Sequence, residues 1–224
     1  MPHEQLGLSN DELLSTTRAV RKRLDFDRPV GMNVIKECLQ LAVQAPSGSN
    51  AQGWQFVVVT DEDKRRQIGE YYRKSWATYE KLPMAVGKIN MDTGDAQLTE
   101  SQQRSASSAA FLGENMGRAP VMLIPCIGGR IDNETSASSI AQAGVLGSIL
   151  PAAGNFMLAA RARGLGTSLT TMHLWHEREI SELLGIPYEE VTQVALIPVA
   201  YTKGTDFKPA YRPPIETVMH VNKW

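Results

Sequence analysis

The run Ala45-Pro46-Ser47-Gly48-Ser49-Asn50-Ala51-Gln52-Gly53-Trp54-Gln55-Phe56-Val57-Val58-Val59 separates two elements of opposite kind with a loop of small polar residues. Upstream, Met32 to Ala45 carries Ile35, Leu39 and Ala42 at helical spacing, and Pro46 stops the helix. Downstream, Trp54 to Val59 is rich in aromatic and β-branched residues and predicts a strand. The chain therefore belongs among mixed α and β folds. The loop between them offers hydroxyls, amides and backbone N–H groups to a polar ligand, although it reads equally well as a plain helix-to-strand turn.

Toward the N-terminus, Asp11 to Arg23 predicts a helix ending in a basic cluster. After the strand, Asp61 to Tyr79 predicts a helix capped by Thr60 or Asp61 and carrying Tyr71, Tyr72, Trp76 and Tyr79. From Gly87 to about Ser108 the sequence turns polar and small, so residues 81–118 are expected to form a mobile excursion or lid. Pro120 to Ile127 is a continuous apolar run consistent with a central strand. The longest predicted helix runs from about Ser136 to Arg163, kinked at Pro151, with Gly144, Gly147 and Gly154 leaving room for another helix to approach. Gly164-Leu165-Gly166 ends it, Thr167 to Thr171 reads as a strand, His176 to Leu184 as a short helix and Val191 to Tyr201 as a buried strand. The tail after Gly204, with Pro209, Pro213 and Pro214, is expected to run extended as an arm over 205–224 and not to be helical. No repeat or linker divides the chain, and about four strands among five or six helices give one α+β domain over residues 1–224.

Composition narrows the function. The chain has 224 residues, 42% of them hydrophobic, enough to bury a core. Lys plus Arg total 23 against 24 Asp plus Glu, so no overall field recruits nucleic acid or anionic lipid, and any anion must be met locally. The first ten residues lack an apolar core, and the longest apolar runs are broken by Gly or Pro short of a membrane span, so a cytoplasmic location is expected. Cys38 and Cys126, without CxxC spacing, read as buried free thiols. Asn133, Glu134 and Thr135 match a glycosylation sequon that such a location leaves unused.

The usual catalytic constellations are missing. There is no GxSxG elbow, and no histidine pairs with an obvious nucleophile. His173 and His176 stand three apart without a partner at motif spacing, so one capping and one exposed histidine is favoured over a metal site. Gly164-Leu165-Gly166-Thr167-Ser168-Leu169 begins like a dinucleotide fingerprint but follows a helix and enters a strand, the wrong order for that turn. Four separated patches do suit a phosphorylated planar ligand. Arg18 and Arg21 lie on one face of the predicted helix and can converge on a dianion, while Arg212, near Lys208, is presented by a proline-stiffened tail. These cations also read as ordinary solvated charges. The loop from Pro46 to Gln52 is the third patch, and the strand end Leu169-Thr170-Thr171, with free N–H groups, is the fourth.

In this order and spacing the patches resemble the FMN-dependent nitroreductase family. The resemblance is carried by Thr17 to Arg23 with Asp27-Arg28-Pro29-Val30, by Ala45 to Trp54, by Ala159-Ala160-Arg161-Ala162-Arg163-Gly164-Leu165-Gly166-Thr167, and by Arg212-Pro213-Pro214-Ile215-Glu216. It implies a three-layer fold with a mainly antiparallel sheet flanked by helices, and an intertwined homodimer with two FMN sites at the interface. By the same resemblance Arg18, Arg21 and Arg212 hold the phosphate, with Lys208 a weaker candidate and Ala19 standing where the family often has Ser. Ser47, Gly48, Ser49 and Asn50 come from the other subunit, with Gln52 a further candidate there and Pro46 among the cofactor-binding residues. Leu169, Thr170 and Thr171 offer donors along the flavin edge, and Ser148, Ile149 and Leu150 pack close to the ring. The implied activity is ping-pong hydride transfer from NADPH or NADH, through flavin N5, to a nitroaromatic, quinone or similar small electron-poor acceptor, with no catalytic side chain and no metal. Tyr71, Tyr72, Trp76 and Phe111, with Tyr79, are candidates for the acceptor pocket, although aromatics at such spacing commonly form core. Reductive dehalogenation or flavin destruction within the same superfamily, a flavin-binding protein without turnover, and a structural dimer that binds nothing are the alternatives.

Overall fold

A computed structural model describes residues 3–91, 93–132 and 138–224. The expected start of the long helix at Ser136 and the sequon at Asn133 fall outside these residues. Six helices, α1 (Asn10–Thr16), α2 (Met32–Ala42), α3 (Glu62–Tyr79), α4 (Ala96–Asn115), α5 (Ser139–Ala162) and α6 (Glu177–Leu184), enclose six strands. The strands are β1 (Leu24–Asp25), β2 (Trp54–Val59), β3 (Val121–Gly128), β4 (Leu165–Thr167), β5 (Val191–Gln193) and β6 (Ile197–Thr202). They form one sheet in the order β1-β6-β3-β2, with β4 on β6 and β5 on β3, and every strand pair is antiparallel. The α+β reading therefore holds.

Strand β3 shows why the fold has three layers. Successive side chains of a strand point to opposite faces. Met122, Ile124 and Cys126 pack with Ile68 and Tyr72 of α3, Leu112 of α4 and Ile180 of α6. Val121 and Leu123 point the other way, toward Val34, Ile35 and Cys38 of α2 and Ala153 and Phe156 of α5. Buried on both faces, β3 reads as a continuous apolar run rather than an alternating one. Both cysteines are free and buried, and burial raises their thiols to about 11 for Cys38 and about 12 for Cys126. Where β3 ends, the buried Arg130 guanidinium ties the turn to α6 through Glu177 at 2.9 Å and to the Tyr188 and Val191 carbonyls.

Several boundaries differ from the sequence reading. The first helix ends at Thr16 instead of Arg23, because Ala19 pairs with Thr167 and the Val20 N–H donates to the Thr167 carbonyl at 2.8 Å. Helix α2 ends at Ala42, four residues before Pro46. Half of the supposed excursion is the regular helix α4, capped by Asp95. Leu165 and Gly166 belong to β4, which stops at Thr167, and the segment from Val191 to Tyr201 is two strands separated at 194–196. The tail contains one turn of helix at Ile215–Thr217. Gly and Pro do not interrupt α5, which is continuous over 24 residues and long and apolar enough to cross a membrane. In this fold its Ile149, Ala153, Phe156 and Ala160 are enclosed by the sheet and α2.

Candidate functional site

The basic segment after α1 is extended, so Arg18 and Arg21 do not share a helical face. Thr17 leaves the helix at ψ 125°, and Val20 is buried in the core beside Leu24. Both arginines nevertheless line one cleft of about 450 Å³, to which the C-terminal arm adds Arg212 and α4 adds Ser101 and Ser105. No Asp or Glu is among the described residues lining it. The guanidiniums rest instead on neutral acceptors: Arg18 on the Lys208 carbonyl at 3.1 Å, Arg21 on Ser108 Oγ at 3.1 Å and Arg212 on the Tyr211 carbonyl at 2.7 Å. Burial lowers the Arg21 guanidinium from its ordinary value, and the like charge of Arg18 adds to this against an opposing contribution from Tyr72. Two cations that repel each other and lack a carboxylate are stabilised by a shared dianion. Ala19 lines the cleft as expected, whereas Lys208 contributes only its carbonyl.

Arg21 also forms one wall of a second cleft of about 330 Å³, lined by Tyr72, Trp76 and Tyr79 of α3 and by Leu169, Thr170 and Met172. The Tyr72 hydroxyl and Thr170 Oγ1 are 3.2 Å apart, and burial raises the phenol while that hydrogen bond opposes the shift. Gly113 of α4 lets the helix close on Trp76, since a Cβ there would stand 2.7 Å from the indole. Tyr79 accepts from the Val86 N–H at 2.8 Å, which fixes the floor of the cleft. Two expected acceptor residues lie elsewhere. Tyr71 packs on His176 with ring centroids 5.0 Å apart, and Phe111 stacks on Phe26 at 6.2 Å. The strand-end donors also need correction. Thr170 exchanges backbone hydrogen bonds with Leu196 at 3.0 and 2.8 Å, so its N–H is occupied within the protomer and is not the free donor expected.

The loop from Pro46 to Gln52 stands apart from both clefts, neither of which it lines. Ser49, Asn50 and Gln52 all take left-handed backbone angles, with φ between 50° and 53°. Such conformations are costly for residues other than Gly and persist where the surroundings over-determine them. Ser47 Oγ accepts from the Gln52 N–H at 3.1 Å, and Asn50 accepts from the Gln52 side chain at 3.0 Å. Ser148 of α5 accepts from the Gly48 N–H at 2.9 Å and donates to the Gly144 carbonyl at 2.8 Å, which docks the loop on that helix. Of the three α5 residues expected near a ring, Ser148 is buried against this loop, Ile149 is fully enclosed in the core and only Leu150 is exposed.

Among the described residues no group of three or more His, Cys, Asp or Glu side chains gathers as a metal would need. His173 is fully buried with neither ring nitrogen hydrogen-bonded, which overturns its reading as a capping or exposed residue, and His176 lies within 3.1 Å of Glu179. The sequence reading missed Ser101, Ser105 and Ser108, whose spacing of four and three was the available signal for one helical face. It also missed Tyr211, whose hydroxyl donates to Asp95 at the start of α4.

Comparison with known proteins agrees with this architecture. An iodotyrosine deiodinase of Thermotoga neapolitana is 29% identical over 209 residues, spanning 93% of this chain and 96% of its own. A solved iodotyrosine deiodinase with FMN and 3-iodo-L-tyrosine superposes with a TM-score of 0.66 at 24% identity, covering 94% of this chain and 98% of that one. The FMN and NADPH-dependent nitroreductase NfnB of Sphigopyxis sp. strain HMH does so with a TM-score of 0.64 at 20% identity, covering 97% and 100%. The nitroreductase family model matches residues 14–201, a span that contains the basic segment, the polar loop and both walls of the second cleft, the aromatic α3 and the segment 168–172. The chain is an oxidoreductase of the nitroreductase family.

Proposed function

We propose that this protein is an FMN-dependent oxidoreductase that takes hydride from NADPH or NADH and reduces a small electron-poor aromatic, such as a nitroarene or a quinone. The observation that carries the reading is the pair of adjoining clefts. One has three arginines and no carboxylate, the other is walled by aromatic rings, and Arg21 belongs to both. The residues fit the cofactor, since a phosphate dianion supplies the charge that Arg18, Arg21 and Arg212 lack. Bound flavin supplies the hydride chemistry, so acid, base and nucleophilic side chains are not needed. Arg18, Arg21 and Arg212 exchange neutral acceptors for phosphate oxygens, and charge-assisted hydrogen bonds of this kind contribute roughly 1.5–3 kcal/mol each. Leu169 and Thr171 supply edge donors, while Tyr72, Trp76 and Tyr79 exclude water and give a flat acceptor a surface to stack on.

The same reading makes the protein a homodimer with the loop from Pro46 to Gln52 delivered to the partner's site. Its support is the apolar surface around that loop. A Cβ at Gly144, Gly147 or Gly154 meets nothing within 4 Å, and Leu150 is exposed on the same helix. In the arm Ile215, Val218 and Val221 are all exposed.

The test is the absorbance spectrum of the purified protein. It is expected to show bound flavin that bleaches when a reduced nicotinamide is added, with Arg18→Ala and Arg212→Ala purifying as folded protein of low flavin content. Full flavin retention by both variants would overturn the phosphate assignment. A second reading, reductive removal of halide from a halogenated aromatic, is favoured by the likeness to the Thermotoga neapolitana deiodinase over nearly the whole chain. Halide release from iodotyrosine, measured beside nitroarene reduction, separates the two.

A further inference from the structure

The cationic surface is larger than one flavin phosphate requires. Beyond the arginine cleft, and sharing Arg18, Arg21, Ser101 and Ser105 with it, lies a smaller cleft of about 260 Å³ between the basic segment and α4. Arg18, Arg21, Lys22, Arg23 and Arg104 line it, and no Asp or Glu is among its described lining residues. Arg23 is already satisfied by Asp206 at 2.7 Å, by the Lys203 carbonyl at 2.9 Å and by stacking on Phe207 at 4.2 Å. Arg18 and Arg21 serve the first cleft. Lys22 and Arg104 remain. Lys22 meets only a hydroxyl, Ser107 Oγ at 2.7 Å, and Arg104 pairs with Glu100 on the solvent face of α4. An exposed pair one helical turn apart holds its partners weakly, so Arg104 is free to turn into the cleft.

We propose that this second cleft is a phosphate site for the nicotinamide co-substrate, in which Lys22 and Arg104, with the Ser101 and Ser105 hydroxyls, hold the 2′-phosphate of NADPH. The proposal rests on the oxidoreductase reading and deepens it, turning an open choice of co-substrate into a preference for the phosphorylated one. Charge decides which phosphate. Each phosphorus of the pyrophosphate carries about one negative charge, whereas a 2′-phosphate is a monoester carrying about −1.5 to −2 at neutral pH, the demand that Lys22 and Arg104, turned from their weak surface partners, together meet. A cleft of about 260 Å³ admits a phosphate and part of its sugar but lies below the size of pockets that enclose a whole cofactor.

The flavin-loaded dimer is titrated by calorimetry with 2′,5′-ADP, and with ADP-ribose, which has the pyrophosphate but no 2′-phosphate. Steady-state KM is measured in parallel for NADPH and NADH. Expected are binding of 2′,5′-ADP at least tenfold tighter than ADP-ribose, and a roughly tenfold weakening of 2′,5′-ADP in Lys22→Ala and in Arg104→Ala. In both variants the KM for NADPH should rise in proportion while that for NADH moves less than twofold, and flavin content should stay at the wild-type level. Arg104→Glu should make NADH the better co-substrate. Unchanged affinity for 2′,5′-ADP in both variants overturns the site. Equal losses for NADH and NADPH overturn it too, because they make these residues pyrophosphate holders or mere ties between the basic segment and α4. A flavin that neither nicotinamide bleaches sinks the oxidoreductase reading itself, whereas bleaching by both with no effect of the substitutions sinks only the 2′-phosphate assignment.

Discussion

His173 is enclosed on all sides with neither ring nitrogen hydrogen-bonded, and burial alone pushes its imidazole down to about 3. The unfolded chain takes up that proton near the ordinary histidine value of about 6.5, so between the two values the unfolded state binds more protons than the native one. The stabilisation is fully present above about pH 6.5 and is lost as the pH falls toward 3. Between pH 7 and pH 5 the linkage amounts to about 2 kcal/mol, which His173→Leu should abolish. Urea denaturation of both proteins at the two pH values checks this, and parallel pH slopes would refute it. The sequence could not reveal such a residue, because burial belongs to the assembled fold and not to a motif. Tyr71 and Tyr72 teach the same lesson. Neighbouring positions on a helix point about 100° apart, and which of the two faces a cleft depends on how α3 rolls against the sheet. The three arginines, by contrast, were legible as a set, and the fold does bring them to one cleft. Only their supposed helical presentation was wrong.

At the level of elements, α4 is the one that pattern reading lost. Of its described residues only Leu112 and Gly113 are buried, so no apolar stripe marks a helix whose first four turns are mostly Ala, Gln and Ser, with Leu98 the one large apolar residue among them. Its start was nevertheless written locally, in Asp95, which accepts from the Gln97 and Leu98 N–H groups at 2.9 and 3.0 Å. Losing such a cap costs about 1 kcal/mol. Asp95→Ala should therefore speed amide hydrogen exchange in the first turn of α4 roughly fivefold. Tyr211→Phe, which keeps the cap and removes only the tie to the arm, should leave that exchange nearly unchanged while loosening the arm around Arg212. Equal effects of the two substitutions would show that the tie, and not the cap, holds the helix. The segment from Thr17 to Arg23 failed in the opposite sense: it looked helical, but pairing of Ala19 with Thr167 and burial of Val20 outweigh a weak local preference.

For the whole molecule, the α+β class was readable because β2, β3, α3 and α5 announce themselves by period and length, whereas the three layers were implied only by the family resemblance. What one chain's pattern does not mark is the face that the proposed dimer requires. The glycines of α5 were expected to admit a neighbouring helix, and in the protomer they face open space. Gly147→Trp should accordingly be tolerated by the protomer, with far-ultraviolet circular dichroism unchanged, but should shift sedimentation from dimer to monomer and reduce flavin content together. A variant that stays dimeric would place the interface elsewhere.

The C-terminal arm has a fixed root. Phe207 is clasped between the guanidiniums of Arg23 and Arg161, at 4.2 and 4.9 Å from its ring, and Arg161 also grips the Thr205 carbonyl at 3.0 Å. Arg212 is therefore held on its own protomer, and everything past it hangs from a pinned hinge. The twelve residues from Pro213 to Trp224 then have a defined radius, on the order of 40 Å when drawn out. That hinge sets how far the segment beyond it extends, and releasing the clasp at Phe207 would loosen Arg212, five residues on, along with it.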